Sequence, residues 1–386
     1  MRSEWKTCKA EDFIEFNPRL TIRKGEIATK VSMDKLRPFT KAIPEVEQAA
    51  FSGGSKFCNG DTIMARITPC LENGKTAFVN NLQDSEVAFG STEFIVMRAR
   101  PGISAPQFVY YLAISPFFRD VAIKSMVGSS GRQRVQQSVL NELELTIPPL
   151  DEQHRIGAFL AKLDDKIELN QRINENLERQ ASAFFDNLLT ETQNGECVVS
   201  DIAILNPKRS LAKNQPARCI DMARLPTSGT FPTGWETKPF NGGMKFSNGD
   251  TLLARITPCL ENGKTAFINF LEDGEVAFGS TEYIVLSPKE GIPPEFLYCL
   301  ARYPVFVDYA VKNMNGSSGR QRVSAETIGQ YCLPKLNSED FSGFSKVVAP
   351  LFLKMRYNSL ENMRLAEMRD ALLPKLMSGE IDLQEV

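Results

Sequence analysis

The sequence contains a long internal repeat, and this duplication limits the folds that the chain can adopt. Three blocks are identical in both copies: ARITPCLENGKTAF at 65–78 and 254–267, EVAFGSTE at 86–93 and 275–282, and GSSGRQRV at 128–135 and 316–323. The first two blocks repeat after 189 residues and the third after 188 residues. Such a period is too long for the units of a solenoid. The repeat therefore predicts two similar domains in tandem.

A long helix is predicted immediately after the first copy. Pro148 and Pro149 end the preceding segment, and the chain then has no proline or glycine between Gly157 and Leu189. Residues spaced by four and three positions form its seam: Ile156, Leu160, Leu163, Ile167, Asn170, Asn174, Leu177, Ala181, Phe184 and Leu188. This average spacing of 3.5 residues is typical of a coiled coil. At about 1.5 Å per residue, the helix should be on the order of 60 Å long.

A second helix with a matching seam follows the second copy. Its seam residues lie 188 positions after their counterparts: Leu351, Met355, Asn358, Asn362, Leu365, Arg369, Leu372 and Leu376. Asn170 and Asn174 correspond to Asn358 and Asn362, and an asparagine in a seam fixes the register at some cost in stability. Two ordinary amphipathic core helices are the alternative. The matched spacing favours two helices that pack against each other.

Within each copy the patterns predict a mixture of strands and helices. In the first copy, strands are expected at 62–67, 76–79, 87–89, 93–98 and 143–147, and helices at 106–114 and 116–126. The fold class is therefore α+β, with two mixed α/β domains in tandem. The expected boundaries are 1–150 for the first domain, 151–190 for its helix, 191–336 for the second domain, and 337–386 for the second helix and tail.

Composition excludes several classes of protein. The net charge of −2 gives no sign of nucleic-acid binding. The eight cysteines form no CxxC pair and there is one histidine, so we expect no structural zinc site, no metal and no cofactor. Unpaired cysteines and the lack of a signal pattern or an apolar span predict a cytoplasmic protein without a membrane segment.

No motif in the chain predicts catalysis. Walker A, GxGxxG and GxSxG patterns are missing. Asp61, Glu72 and Lys75 weakly suggest a metal-dependent nuclease, as do their counterparts Asp250, Glu261 and Lys264. The simpler interpretation is that these residues form turns.

The loop at 128–135 is the first candidate binding site. Its polar residues are Ser129, Ser130, Arg132, Gln133 and Arg134 in the first copy, and Ser317, Ser318, Arg320, Gln321 and Arg322 in the second. Arginine can bind guanine or phosphate, glutamine can bind adenine, and serine suits phosphate. The alternative is that the arginines pair with acidic residues of their own domain.

The turn at 66–75 is the second candidate site. Its polar residues are Arg66, Thr68, Asn73 and Lys75, with Arg255, Thr257, Asn262 and Lys264 in the second copy. A buried structural turn is an equally good interpretation. The divergent segments 21–52 and 212–241 are further candidates for base contacts, and Lys30, Lys35, Arg37 and Lys41 have no exact counterparts.

The junction Leu145–Ile156 (LTIPPLDEQHRI), together with the duplication, resembles the specificity subunit of type I restriction–modification enzymes. The resemblance covers essentially the whole chain. The second junction differs, because Leu333-Pro334-Lys335-Leu336 continues without the Glu-Gln pair. This difference concerns only how the second helix begins.

The resemblance implies a non-catalytic subunit. Each domain would be a target recognition domain that reads one half of a bipartite site in double-stranded DNA. The two helices would pack as an antiparallel coiled coil with internal pseudo-two-fold symmetry, and would set the spacer. Two methylation (M) subunits would dock on the chain, and restriction (R) subunits would join through them.

The long identical runs add an expectation of our own, namely two similar half-sites in a nearly palindromic target. Three alternatives stay open at this point: a stand-alone bivalent DNA-binding regulator, a metal-dependent nuclease and a protein-binding scaffold.

Overall fold

The computed structural model describes residues 5–192, 195–317 and 319–383. Over these ranges the chain divides into two compact units. The first comprises residues 1–168 and 364–386, and the second comprises residues 169–363. Each unit contains one sequence copy and part of each long helix. The four-part division by sequence remains a prediction.

The first unit contains strands, short helices and the start of one long helix. Its strands are β1 (Lys6–Lys9), β2 (Ile14–Phe16), β3 (Ile27–Val31), β4 (Glu47–Ala50), β5 (Lys56–Phe57), β6 (Thr62–Ala65), β7 (Thr76–Phe78), β8 (Ala88–Gly90), β9 (Phe94–Ala99) and β10 (Glu144–Ile147). Its helices are α1 (Ala10–Phe13), a 3-10 turn (Met33–Lys35), α2 (Pro106–Ile114), α3 (Pro116–Lys124), α4 (Gln137–Asn141) and α5 (Leu150–Glu191). The strands and helices predicted between residues 62 and 147 are confirmed, with small differences at their ends.

The first unit contains two four-stranded sheets and a two-stranded sheet of β1 and β10. One four-stranded sheet has the order β2-β9-β6-β7 and is antiparallel, and the other has the order β4-β3-β8-β5 with β3 and β8 parallel. Strand β6 is buried on both faces. Its Met64 belongs to the apolar cluster beneath α2, whereas Ile63 belongs to the cluster that includes Phe57 of the other sheet. Because successive side chains of a strand point to opposite faces, β6 packs against α2 on one face and against the second sheet on the other.

The second unit repeats this architecture. Its strands are β11 (Glu196–Val198), β12 (Ala203–Leu205), β13 (Pro216–Ile220), β14 (Glu236–Pro239), β15 (Met244–Phe246), β16 (Thr251–Ala254), β17 (Thr265–Phe267), β18 (Ala277–Gly279), β19 (Tyr283–Pro288) and β20 (Cys332–Pro334). Its helices are α6 (Val199–Ile202), α7 (Pro294–Arg302), α8 (Pro304–Lys312), α9 (Ala325–Gly329) and α10 (Ser338–Met377). The sheet orders β12-β19-β16-β17 and β14-β13-β18-β15 correspond strand by strand to those of the first unit.

The two long helices have the predicted lengths, with 42 residues in α5 and 40 in α10. In the second unit they run antiparallel. The Asn170 side-chain amide donates to Asn362 Oδ1 over 2.9 Å, and that of Asn358 donates to Asn174 Oδ1 over 2.8 Å. Each predicted seam asparagine therefore has a polar partner on the facing helix. A one-residue slip would separate both pairs, so the asparagines fix the register.

Part of each long helix also lies in the first unit, where a polar contact joins them. The Arg369 guanidinium of α10 donates to Asp164 of α5 over 2.6 Å, and both side chains are buried. The hydroxyl of Tyr111 on α2 donates to the same carboxylate over 2.6 Å. Burial raises the pKa of Tyr111 well above its ordinary value, so its hydroxyl remains a donor. The expected α+β fold with two long antiparallel helices is confirmed.

Candidate nucleic-acid interface

The Gly-Ser loop of the first unit, residues 128–133, is a tight turn closed by backbone hydrogen bonds. Val127 and Arg134 exchange two N–H···O bonds of 3.0 and 2.9 Å, and the Arg132 amide donates to the Ser129 carbonyl. Gly128 has a φ of +136°, and a Cβ there would lie 2.9 Å from the Arg132 carbonyl oxygen. Glycine is required at this position because the loop folds back onto itself.

Thr68 clamps the loop to the turn at 66–75. Its amide donates to the Gln133 carbonyl, and its hydroxyl accepts from the Gln133 amide, each over 3.0 Å. Thr257 makes the same two contacts with Gln321 in the second unit. The backbone of the glutamine is therefore fixed at both polar groups, while its side-chain amide is left to bind elsewhere.

Arg134 is held by an acidic residue of its own unit. Its guanidinium makes a forked contact with the Glu93 carboxylate, with distances between 2.6 and 3.0 Å. Arg322 contacts Glu282 in the same way over 2.8 Å. Hydrogen bonding to the arginine lowers the pKa of each carboxyl group, so both are anionic at neutral pH. These two arginines make the ion pairs within the unit that the alternative interpretation expects, and their role in DNA binding stays a prediction.

Arg132 behaves differently from its neighbour. Its side chain is exposed and makes no hydrogen bond or ion pair within the described parts of the chain, and the same holds for Arg320. The side-chain amides of Gln133 and Gln321 are partly exposed and likewise unpaired there. Ser129, Ser130 and Ser317 are exposed, and Ser318 lies outside the described residues. The loop thus presents an arginine and a glutamine side by side, in both units.

The turn at 66–75 carries more structural contacts than the loop. The Lys75 ammonium donates to the Met33 carbonyl over 2.8 Å, and the Lys264 ammonium donates to the Met222 carbonyl over 2.7 Å. Arg66 donates to the Val135 carbonyl over 3.3 Å. Arg255 is partly buried, and its positive charge helps to lower the pKa of Glu282.

Asn73 and Asn262 are exposed at the tips of these turns. Their side chains make no hydrogen bond in the described chain. Of the turn candidates, they are the ones most available to a ligand.

The nuclease alternative meets an unfavourable geometry. Asp61 is buried and is held by two bonds of 2.7 Å from Arg98, together with the Cys58 amide. Glu72 is exposed at the turn. Among the described residues, no group of three or more His, Cys, Asp or Glu side chains could hold a metal ion. Asp61 therefore has a structural role in this unit.

Two arginines that the repeat did not reveal hold the buried aspartates. Arg98 on β9 pairs with Asp61, but its counterpart in the second copy is Ser287. There the partner of Asp250 is Arg209, with distances of 2.7 and 2.6 Å, and the counterpart of Arg209 is Leu20. The ion pair is retained although the arginine comes from a different strand or loop. The sequence could have identified these arginines, because each is present in one copy and absent at the equivalent position of the other.

Comparison with known proteins identifies a domain in the chain and relatives of most of its length. A family model for the type I restriction modification DNA specificity domain matches residues 2–179. The chain is 26% identical over 409 residues to the specificity subunit of the type I restriction enzyme HindI of Haemophilus influenzae, with 83% of this chain and 86% of that protein covered. Residues 2–179 therefore carry a type I restriction modification DNA specificity domain, and most of the chain is similar to a type I restriction enzyme specificity subunit.

Two further proteins are similar to the chain, one in sequence and one in fold. The MjaIX specificity subunit of Methanocaldococcus jannaschii is 25% identical over 321 residues, which cover 72% of this chain and 70% of that protein. The fold is similar to the crystal structure of the S subunit from M. genitalium, with a TM-score of 0.59, 16% identity and 96% of each chain covered. In the described residues of the chain, no helix is both long and apolar enough to cross a membrane.

Proposed function

We propose that this chain is a specificity subunit that reads a bipartite site in double-stranded DNA, with one half-site for each unit. The observation that carries the proposal is the loop that occurs identically in both units. In each loop, one arginine and one glutamine have side chains without a partner in the described residues. Two copies of one contact set suit two half-sites of similar sequence.

The chemistry of the loop assigns a role to each side chain. Arg132 can donate two hydrogen bonds to guanine O6 and N7, and Gln133 can bind adenine N6 and N7. The hydroxyls of Ser129 and Ser130 suit phosphate oxygens, which position the protein without reading sequence. The corresponding residues of the second unit are Ser317, Ser318, Arg320 and Gln321.

The contacts beneath the loop support this assignment, because they fix its backbone before DNA binds. Thr68 holds the Gln133 backbone, and Glu93 holds Arg134. A loop that is ordered in advance loses less conformational entropy on binding. In this proposal Arg134, Arg66 and Lys75 support the reading surface, and Asn73 extends it.

The long helices would convert protein length into base-pair spacing. The reciprocal pairs Asn170–Asn362 and Asn174–Asn358 support a fixed helix register. Antiparallel helices with matched seams suit two similar half-sites in inverted orientation. Two methylation subunits would dock on the chain, and restriction subunits would join through the assembled complex.

Reconstitution with the methylation subunit encoded beside it tests the proposal. The complex should methylate a defined bipartite motif, and omission of this chain should abolish that specificity. Tight and specific binding by the isolated chain would instead indicate a stand-alone regulator, and Mg²⁺-dependent cleavage by the chain would indicate a nuclease. Failure to bind DNA in either form would indicate a scaffold.

Gln133→Ala should weaken recognition of one half-site by about 1–3 kcal/mol, or roughly five- to 150-fold, and relax the motif at one position. Gln321→Ala should do the same at the other half-site. The measurement is the methylation rate of the reconstituted complex on duplexes with single-base changes.

The matched control for these variants is Gln136→Ala, an exposed glutamine three residues beyond the loop position. This control should leave both rate and motif unchanged. If all three variants behave like the unmodified complex, the loop does not contact bases.

A further inference from the structure

The two long helices have matched seams, but they differ at buried charged positions. In the first unit, Asp164 accepts from both Tyr111 and Arg369 over 2.6 Å. The side chains of Asp164 and Arg369 are 6% and 8% exposed, so this ion pair is well shielded from water. Arg369 also contacts the exposed carboxylate of its neighbour Asp370 over 2.8 Å.

The equivalent position in the second unit is apolar. The 188-residue offset that aligns the seam asparagines matches Asp164 with Phe352 and Arg369 with Ala181. Phe352 and Ala181 are each 1% exposed, and the Phe352 ring packs 5.4 Å from that of Tyr298. An acid–base pair in one unit is therefore replaced by a large and a small apolar residue in the other.

A second cluster is charged in the second unit and apolar at the equivalent positions of the first unit. In the second unit, Glu178 of α5 accepts from the Tyr298 hydroxyl and lies 3.7 Å from Arg302 of α7. Glu178 and Arg302 are 19% and 16% exposed. Their counterparts in the first unit, by the same offset, are Ala366 and Ile114. Tyr298 itself matches Tyr110, so the charged partners differ while the tyrosine is shared.

The acids and bases of these clusters come from different halves of the chain. Asp164 and Glu178 lie in the N-terminal half, before residue 193, and Arg302 and Arg369 lie in the C-terminal half. We infer that these four side chains form a pairing code, which makes the N-terminal half pair with the C-terminal half and reject a second copy of itself.

The code predicts what each wrong pairing would bury. Between two N-terminal halves, Asp164 would face Ala181, and Glu178 would face Ile114, so that both acids lose their bases. Between two C-terminal halves, Arg369 would face Phe352, and Arg302 would face Ala366. A buried charge without its partner shifts a pairing equilibrium by more than about a hundredfold.

The seam asparagines cannot supply this discrimination. Asn170 and Asn174 are matched by Asn358 and Asn362, so any combination of halves would satisfy all of them. Two halves with the same fold and the same seam asparagines need another device if each molecule is to carry one recognition unit of each kind. The charged clusters provide it, independently of what the units bind.

Recombination of the halves in the nicked full-length protein tests the inference. A protease site inserted after Thr192 allows the folded chain to be cut once. Unlabelled and ¹⁵N-labelled samples are mixed, separated in denaturant and recombined by dialysis, and native mass spectrometry then counts each pair. Pairs with one light and one heavy half confirm that recombination has occurred.

The matched variant copies each residue from the equivalent position of the other unit: Tyr111→Cys, Asp164→Phe, Arg369→Ala, Glu178→Ala and Arg302→Ile. A second variant, Ala181→Arg, gives the N-terminal half its own base for Asp164. For the unmodified protein we expect same-half pairs below about one per cent of the total. The copied variant should approach a 1:2:1 distribution, and Ala181→Arg should favour N-terminal pairs.

Two results would overturn the inference. One is a near-statistical distribution from the unmodified halves, and the other is strict pairing of unlike halves in both variants. Ala181→Arg keeps the inference testable if the fivefold substitution prevents folding.

Discussion

Replacing Arg98 with serine should destabilise the first unit by about 3–5 kcal/mol, because it leaves a buried carboxylate without its cation. Asp61 is 1% exposed, and Arg98 holds both of its oxygens over 2.7 Å. Trp5 lies in the first unit and the only other tryptophan, Trp235, lies in the second. In a Trp235→Phe background, urea denaturation followed by fluorescence therefore reports unfolding of the first unit.

The second unit supplies the matched rescue for this variant. Its buried Asp250 is paired with Arg209, which corresponds to Leu20. Leu20→Arg in the Arg98→Ser background converts the first unit to the arrangement of the second, and we expect it to recover most of the lost stability. A loss below about 1 kcal/mol, or no recovery by the second change, would contradict this account of the ion pair.

Gly54→Ala should cost about 2–6 kcal/mol in the same assay. Gly54 has a φ of +120°, and an added Cβ would lie 1.9 Å from the Gly90 carbonyl oxygen of β8. Backbone strain and overpacking each contribute about 1–3 kcal/mol. The clash is with backbone rather than with a flexible side chain, so the sheet itself has to move.

Gly53→Ala is the control, since Gly53 has a φ of +147° but an added Cβ would meet no atom within 4 Å. It should show the strain without the clash, and so cost about 1–3 kcal/mol less than Gly54→Ala. Gly243 repeats the 1.9 Å approach in the second unit, against Gly279, and Gly243→Ala should have a similar cost there. Equal effects at Gly53 and Gly54 would show that the close approach is not what demands glycine.

Elements of the fold that depend on local sequence could be predicted well. The helix predicted at 151–190 spans Leu150–Glu191, and α2 has the predicted bounds of Pro106–Ile114. Proline favours the first turn of a helix and ends the element before it, so the local sequence determines these boundaries. The sheet order could not be derived in this way, because β9 pairs with β2 and β6, which are distant in the chain. Phe16 of β2, for example, lies opposite Met97 of β9.

The candidate site was predicted only in part. Residue type and loop context identified Arg132 and Gln133, but they could not separate Arg132, which is unpaired among the described residues, from Arg134, which pairs with Glu93. The Glu93 contact spans 41 positions and follows from the fold rather than from spacing. Likewise, a lysine side chain such as that of Lys75 can bind a distant carbonyl or face solvent, and its sequence neighbours do not decide which.

The pairing of acids in the N-terminal half with bases in the C-terminal half also could not be predicted from the sequence. The seam of α10 includes Arg369 and that of α5 includes Ala181, and in isolation each is a tolerable seam residue. Only the contact of Arg369 with Asp164 shows that the difference carries information about pairing.

The target motif of the complete system tests the central claim most directly. Methylated DNA from cells that carry this chain with its methylation subunits would be sequenced, and the modified motif extracted. The account predicts two similar half-sites in inverted orientation, separated by a spacer of constant length. Two unrelated half-sites, or half-sites in direct repeat, would contradict it.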